Sequence, residues 1–128
     1  MKSFKQFLIE QGILGPHEGK ELELMLNNKK PAALIATDKD MEKFRPYIES
    51  GKFVSKTIPH PYMPTQKMNF VGQTEDHLNR AIGAFRNLWK YHGTDNQDAK
   101  DAAHTELGRA LGYSEDDIKV FLKKIKGQ

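Results

Sequence analysis

No cysteine occurs in the chain. That removes disulfides, thiolate zinc sites, iron–sulfur clusters and thiol nucleophiles together, and it agrees with a reducing, cytoplasmic setting. No apolar run reaches the length of a membrane span. The first residues carry Lys2 and Lys5 but no continuous apolar segment or small-residue cleavage site, so no secretory signal is expected. There is no phosphate-cradling glycine loop: Gly12 and Gly15 lack the strand–turn–helix context and the following Lys-Ser/Thr. There is no GxSxG elbow. Ser50, Ser55 and Ser114 fall at a helix end, in a strand and at an N-cap, where backbone hydrogen bonding explains them. Strong charge of one sign is also lacking. Lys and Arg number 20 against 17 Asp and Glu, a net charge of +3, with the two signs mixed along most of the chain. Nucleic-acid binding would call for a concentrated basic stripe and is not expected.

What is present is a chain of 128 residues with 38% hydrophobic and 29% charged residues, enough to bury one core without staples. The expected organisation is a single domain over 1–128. Residues 2–11 read as an amphipathic helix with Phe4, Phe7 and Leu8 on one stripe. Pro16 suits the start of a second helix running to Asn27, with Leu22, Met25 and Leu26 on its apolar face. The run 31–37 is bounded by turn residues and reads as a buried strand. A short helix follows with Met41, Phe44, Tyr47 and Ile48 at helical spacing, limited or kinked by Pro46.

Residues 52–58 alternate, with Phe53, Ser55 and Thr57 on one side and Val54, Lys56 and Ile58 on the other. They read as a strand, and 66–71 as its return. The connector 59–64 has three prolines in six residues and reads as stiff. Thr74 caps the best helix, 75–92, whose stripe is Leu78, Ala81, Ile82, Phe85, Leu88, Trp89 and His92. A further helix over 97–111 buries Ala99, Ala102, Ala103, Leu107, Ala110 and Leu111. A last one starts at Ser114, with acids first and lysines at its end, which suits the macrodipole. The class is α+β: a small three-stranded sheet with about six helices, three of them forming a C-terminal block.

Catalytic and metal-binding constellations are thin. The histidines His17, His60, His77, His92 and His104 show no metal-ligand spacing, and no cofactor is expected. Two segments do mix polar and aromatic groups as ligand sites do. One is the stiff loop around His60 and Tyr62. The other is the end of the long helix with Arg86, Trp89, Lys90, Tyr91 and His92. An aromatic face can stack on a base, and Arg or Lys can pair a phosphate. If the segments meet, Tyr62, Arg86, Trp89, Lys90 and His92 are candidates for holding a nucleotide-like molecule, with Arg109 as a further one. The bland alternative makes Phe85 and Trp89 core and the cations a solvated face.

The opening MKSFKQFLIE resembles the start of small proteins of T-even-type tailed phages, where a similar segment serves in some cases to target the head. That family's maturation protease cuts after Leu/Ile-x-Glu, and Leu8-Ile9-Glu10 fits the pattern, while Gln11 departs from the small residue it prefers. Blocks such as KELELMLNNKKPAAL, SGKFVSK and LGYSEDDIKVFL resemble small bacterial and phage proteins and transfer no activity. The resemblance implies an accessory phage protein. The first expectation is an anti-defence protein in the host cytoplasm that sequesters a cyclic dinucleotide or ADP-ribose derivative without catalysis, with a homo-oligomer as a further expectation. The alternatives are a protein-binding inhibitor or a head-packaged protein that engages a host or phage partner through residues 1–11. From another class comes a small nuclease or phosphodiesterase using His60, His92 or His104.

Overall fold

The computed structural model describes residues 20–35, 37–91 and 93–126, with the side chains of 124–126 left aside. The expected helix over 2–11 and its address role lie outside the described residues, as does His92. Among the described residues the elements are α1 (Glu21–Leu26), β1 (Ala32–Ile35), α2 (Asp38–Glu49), β2 (Val54–Pro59), β3 (Lys67–Gly72), α3 (Glu75–Tyr91), α4 (Gln97–Ala110) and α5 (Glu115–Lys126). The class is α+β as the patterning implies, with five helices described rather than about six. None of them is long and apolar enough to cross a membrane.

The sheet order is β1-β3-β2, antiparallel throughout. Central β3 pairs Ala32 with Gly72 and Ile35 with Asn69 on one side, and Val54 with Gly72 and Pro59 with Lys67 on the other. β1 and β2 therefore run in the same direction, with α2 crossing between them.

Strand alternation sends side chains to two cores. Ala32, Leu34, Ile58, Met68 and Phe70 face α3, α4 and α5, where Phe85, Leu88, Leu107, Ile118 and Phe121 meet them. Ala33, Ile35, Phe53 and Val71 face the other way, against Met25 of α1 and Phe44 of α2. β1 is thus covered on both faces, which is why it reads as a continuous apolar run rather than an alternating one, whereas β2 leaves Ser55, Lys56 and Thr57 exposed.

Caps set the helix starts. Oxygens of Thr37, Thr74, Asn96 and Ser114 accept from the amides of Asp40, His77, Ala99 and Asp117 at 3.1–3.2 Å. Pro46 does not end α2, which continues to Glu49. Packing of Phe44 and Ile48 onto the sheet outweighs the one hydrogen bond that proline removes. Ala102 is exposed, not buried, because α4 packs on α3 through Ala103 and Leu107 instead.

Candidate functional site

The β2–β3 connection runs from His60 to Gln66 and folds back onto the C-terminal end of α3. It closes at its base, where His60 N–H donates to the Gln66 carbonyl at 2.8 Å and Gln66 N–H to the Met63 carbonyl at 2.8 Å. The Tyr62 hydroxyl donates to the Trp89 carbonyl at 2.7 Å. The Tyr62 and Trp89 rings lie edge to face with centroids 5.3 Å apart. The stiff loop and the end of the long helix therefore do meet, as the nucleotide-site expectation requires.

Their side chains divide into two kinds. Trp89 is only 8% exposed and belongs to the main core. Its face is not open for stacking, so its part is to support Tyr62. Tyr62 is 56% exposed. With its hydroxyl tied to the helix, the ring stands as a pre-oriented aromatic platform. Arg86 and Lys90 are exposed on α3. Helical geometry places them about 60° and about 100° round the axis from Trp89, on the same side. The Lys90 ammonium lies 5.6 Å from the Tyr91 ring centre, a cation–π distance.

The arginines separate by their partners. Arg45 pairs with Glu42. Arg80 pairs with Glu106 at 2.7 Å. Arg109 holds Glu115 at two points, 2.7 and 3.4 Å, joining α4 to the start of α5. That pair pushes the Arg109 guanidinium up and the Glu115 carboxyl down from their ordinary values, the shared hydrogen bond being the main cause of each. Arg109 thus stands at the α4–α5 corner, not with Tyr62 and Trp89 at the end of α3. Among the described residues Arg86 has no carboxylate partner.

The described grooves are lined by residues other than Tyr62. The one between α3 and α4, bounded by Asn87, Tyr91, Ala99 and Glu106, is about 210 Å³, below the size of a pocket that encloses a ligand. Among the described residues no group of three or more histidines and carboxylates is placed to hold a metal ion.

Two buried polar residues stand apart from the exposed Tyr62, Arg86 and Lys90. His60 is 1% exposed and lies under the platform, its ring centroid 4.5 Å from that of Trp89. The sequence offered it as part of the stiff loop and as one of three histidines for the nuclease alternative, not as a buried residue beneath Tyr62. Lys30 is 2% exposed at the entry to β1, with its ammonium donating to the Leu111 carbonyl and 4.9 Å from the Tyr113 ring centre. Nothing in the run Lys29-Lys30-Pro31 distinguishes it from its exposed neighbour.

Comparison of the chain with known protein families, with characterised proteins and with solved structures finds no match.

Proposed function

We propose that the chain is a non-catalytic binding protein that takes an anionic, aromatic, nucleotide-derived ligand on the exposed surface of Tyr62, Arg86 and Lys90. The observation that carries this reading is Arg86. Three of the four arginines hold a carboxylate, and the one that holds none among the described residues stands exposed one helical turn before the carbonyl that anchors Tyr62. Tyr62 supplies a fixed ring face for a base, and Arg86 and Lys90 supply the pairing for phosphate. Cyclic dinucleotides and ADP-ribose derivatives combine those two chemistries. Together with the phage-like opening segment, this supports an anti-defence role in which the protein sequesters a nucleotide-derived host immune signal. A homo-oligomer would bring two such surfaces together and enclose the ligand between them.

A second reading is a protein partner on the same surface. It is favoured by the 56% exposure of the Tyr62 side chain. Tyr and Arg are the residue types that dominate protein interfaces.

The test is a thermal-melt series with cyclic dinucleotides, ADP-ribose, cyclic ADP-ribose and NAD, each ligand checked for integrity afterwards. A ligand at about a hundred times its dissociation constant stabilises the fold by roughly 2.7 kcal/mol. The expected result is a shift with one class, ligand intact, lost in Arg86→Ala. A consumed ligand makes the protein an enzyme. No shift with any of them rejects the small-molecule reading in favour of the protein partner.

A further inference from the structure

The platform owes its shape to a residue beneath it. The Nδ1 atom of His60 accepts the backbone N–H of Tyr62 at 3.1 Å and that of Met63 at 3.2 Å. One ring nitrogen thus folds the first turn of the loop, in the manner of an Asx side chain bonding the amides two and three residues on. Pro59, Pro61 and Pro64 have no N–H, so few other backbone donors can order this stretch. The ring is held edge-on between Trp89 at 4.5 Å and Phe85 at 6.1 Å, which fixes where Nδ1 points.

A nitrogen that accepts two N–H groups carries no hydrogen, so the ring is neutral with its hydrogen on Nε2. A proton added to Nδ1 would turn both bonds into N–H facing N–H. Among the described residues, the titratable and charged groups on the surrounding elements are Tyr62 on the loop, Arg86 and Lys90 on α3, and Lys67 on β3 opposite Pro59. Phe85 and Trp89 of α3 pack against the ring and do not titrate.

We propose that His60 is the positioning residue of the Tyr62 platform and its proton switch: with Nδ1 bare the loop presents Tyr62 over Trp89, and with Nδ1 protonated the loop lets Tyr62 go and the site releases its ligand. The proposal rests on the reading of Tyr62, Arg86 and Lys90 as the site, and it regulates that site by acidity. Asparagine at position 60 also presents an acceptor to these amides but does not titrate. Phenylalanine keeps a ring between Trp89 and Phe85 but has no acceptor.

The experiment is nitrogen-detected NMR of the full chain, following the His60 ring nitrogens and the Tyr62 and Met63 amides from about pH 7.5 to about pH 5, the range in which histidine ordinarily titrates. The expected result is that the two amides move together with protonation of the ring while amides of the α3 core stay in place. In His60→Phe their exchange protection should fall about tenfold or more at every pH, the loss of about one hydrogen bond each. In His60→Asn protection should be restored and the pH dependence lost. Amides that do not follow the ring in the native chain, or a ring whose Nδ1 stays bare until the whole domain unfolds, overturn the switch. Amides unchanged in His60→Phe overturn the positioning role. Should that variant not fold, the native titration alone decides. None of these readouts uses a ligand, so a failed melt series and a failed switch are told apart.

Discussion

The ammonium of Lys30 and the carbonyl of Leu111, 81 residues apart in sequence, are joined by a buried hydrogen bond. It ties the start of edge strand β1 to the α4–α5 corner, beside the ring of Tyr113. Burial pushes the Lys30 amine down from 10.5 to about 7, and the Glu21 carboxylate offsets part of that. Below about pH 7 the amine is protonated in both folded and unfolded chains, and the burial penalty is present in full. Between about 7 and 10.5 the folded chain has released a proton that the unfolded chain keeps, so stability rises with pH across that window. The rise should be on the order of a few kcal/mol. Lys30→Met removes the titration and also leaves the Leu111 carbonyl without this donor. Urea denaturation of both proteins at several pH values should show the variant equal or more stable in mild acid and less stable in mild alkali. A constant difference across the range would mean that Lys30 does not titrate there.

The same corner makes a second demand, on backbone. Gly112 has φ +85°, and a Cβ there would meet Pro31 Cδ at 2.8 Å and the Lys30 Cα at 3.2 Å. The left-handed conformation and the close approach act together, since neither the proline ring nor the strand backbone can give way easily. Gly112→Ala should destabilise by about 1–3 kcal/mol. Gly83, in the interior of α3 with nothing near its Cβ position, serves as the control, and Gly83→Ala should stabilise by up to about 1 kcal/mol. Paired denaturation curves read both signs, and equal effects would deny the corner its special geometry.

Much of this architecture was legible because local signals agreed with one another. Thr74 and Ser114 cap the helices they were expected to start, and the alternation of Phe53 against Val54 and Ile58 sorts those residues onto the two faces of the sheet. Ala102 was misread because local rules say nothing of which neighbour packs on a helix. Aromatic and basic composition drew attention to two segments that the contact between Tyr62 and Trp89 joins. Composition could not say that Trp89 faces inward or that Glu115 engages Arg109, since both depend on how α3, α4 and α5 turn against the sheet. Lys30 stayed invisible for the same reason: a lysine is buried only by elements distant in sequence.

The Tyr62 hydroxyl and ring have separate duties in the proposed site, and Tyr62→Phe separates them. The substitution removes the 2.7 Å bond to the Trp89 carbonyl and leaves the stacking face. The loop should loosen, with a loss of stability of about 0.5–1.5 kcal/mol. Binding of a ligand identified in the melt series should weaken only by the ordering that the ring then requires. Tyr62→Ala removes the face as well and should abolish binding. Calorimetric titration of the two variants checks this. Equal losses would place the contribution of Tyr62 in its hydroxyl and reject the stacking role.

Arg86 and Arg109 offer the sharpest contrast, because both are exposed arginines on helices of the same core. Arg109 is committed to Glu115, and a phosphate would have to displace that carboxylate from a two-point pair. Arg86 has no such competitor among the described residues. Arg86→Ala should therefore weaken binding of an anionic ligand by about tenfold or more, as expected for loss of a charge-assisted hydrogen bond. Arg109→Ala should leave it unchanged. Glu115→Gln sharpens the comparison by loosening the hold on Arg109 without removing it. If binding weakens in Arg109→Ala and strengthens in Glu115→Gln, the anion sits at the α4–α5 corner. The site would then have to be rebuilt around Arg109, with Tyr62 no longer its platform. Raising the salt concentration should weaken binding to the native chain and have less effect on Arg86→Ala, since an exposed pairing with phosphate is screened by ions.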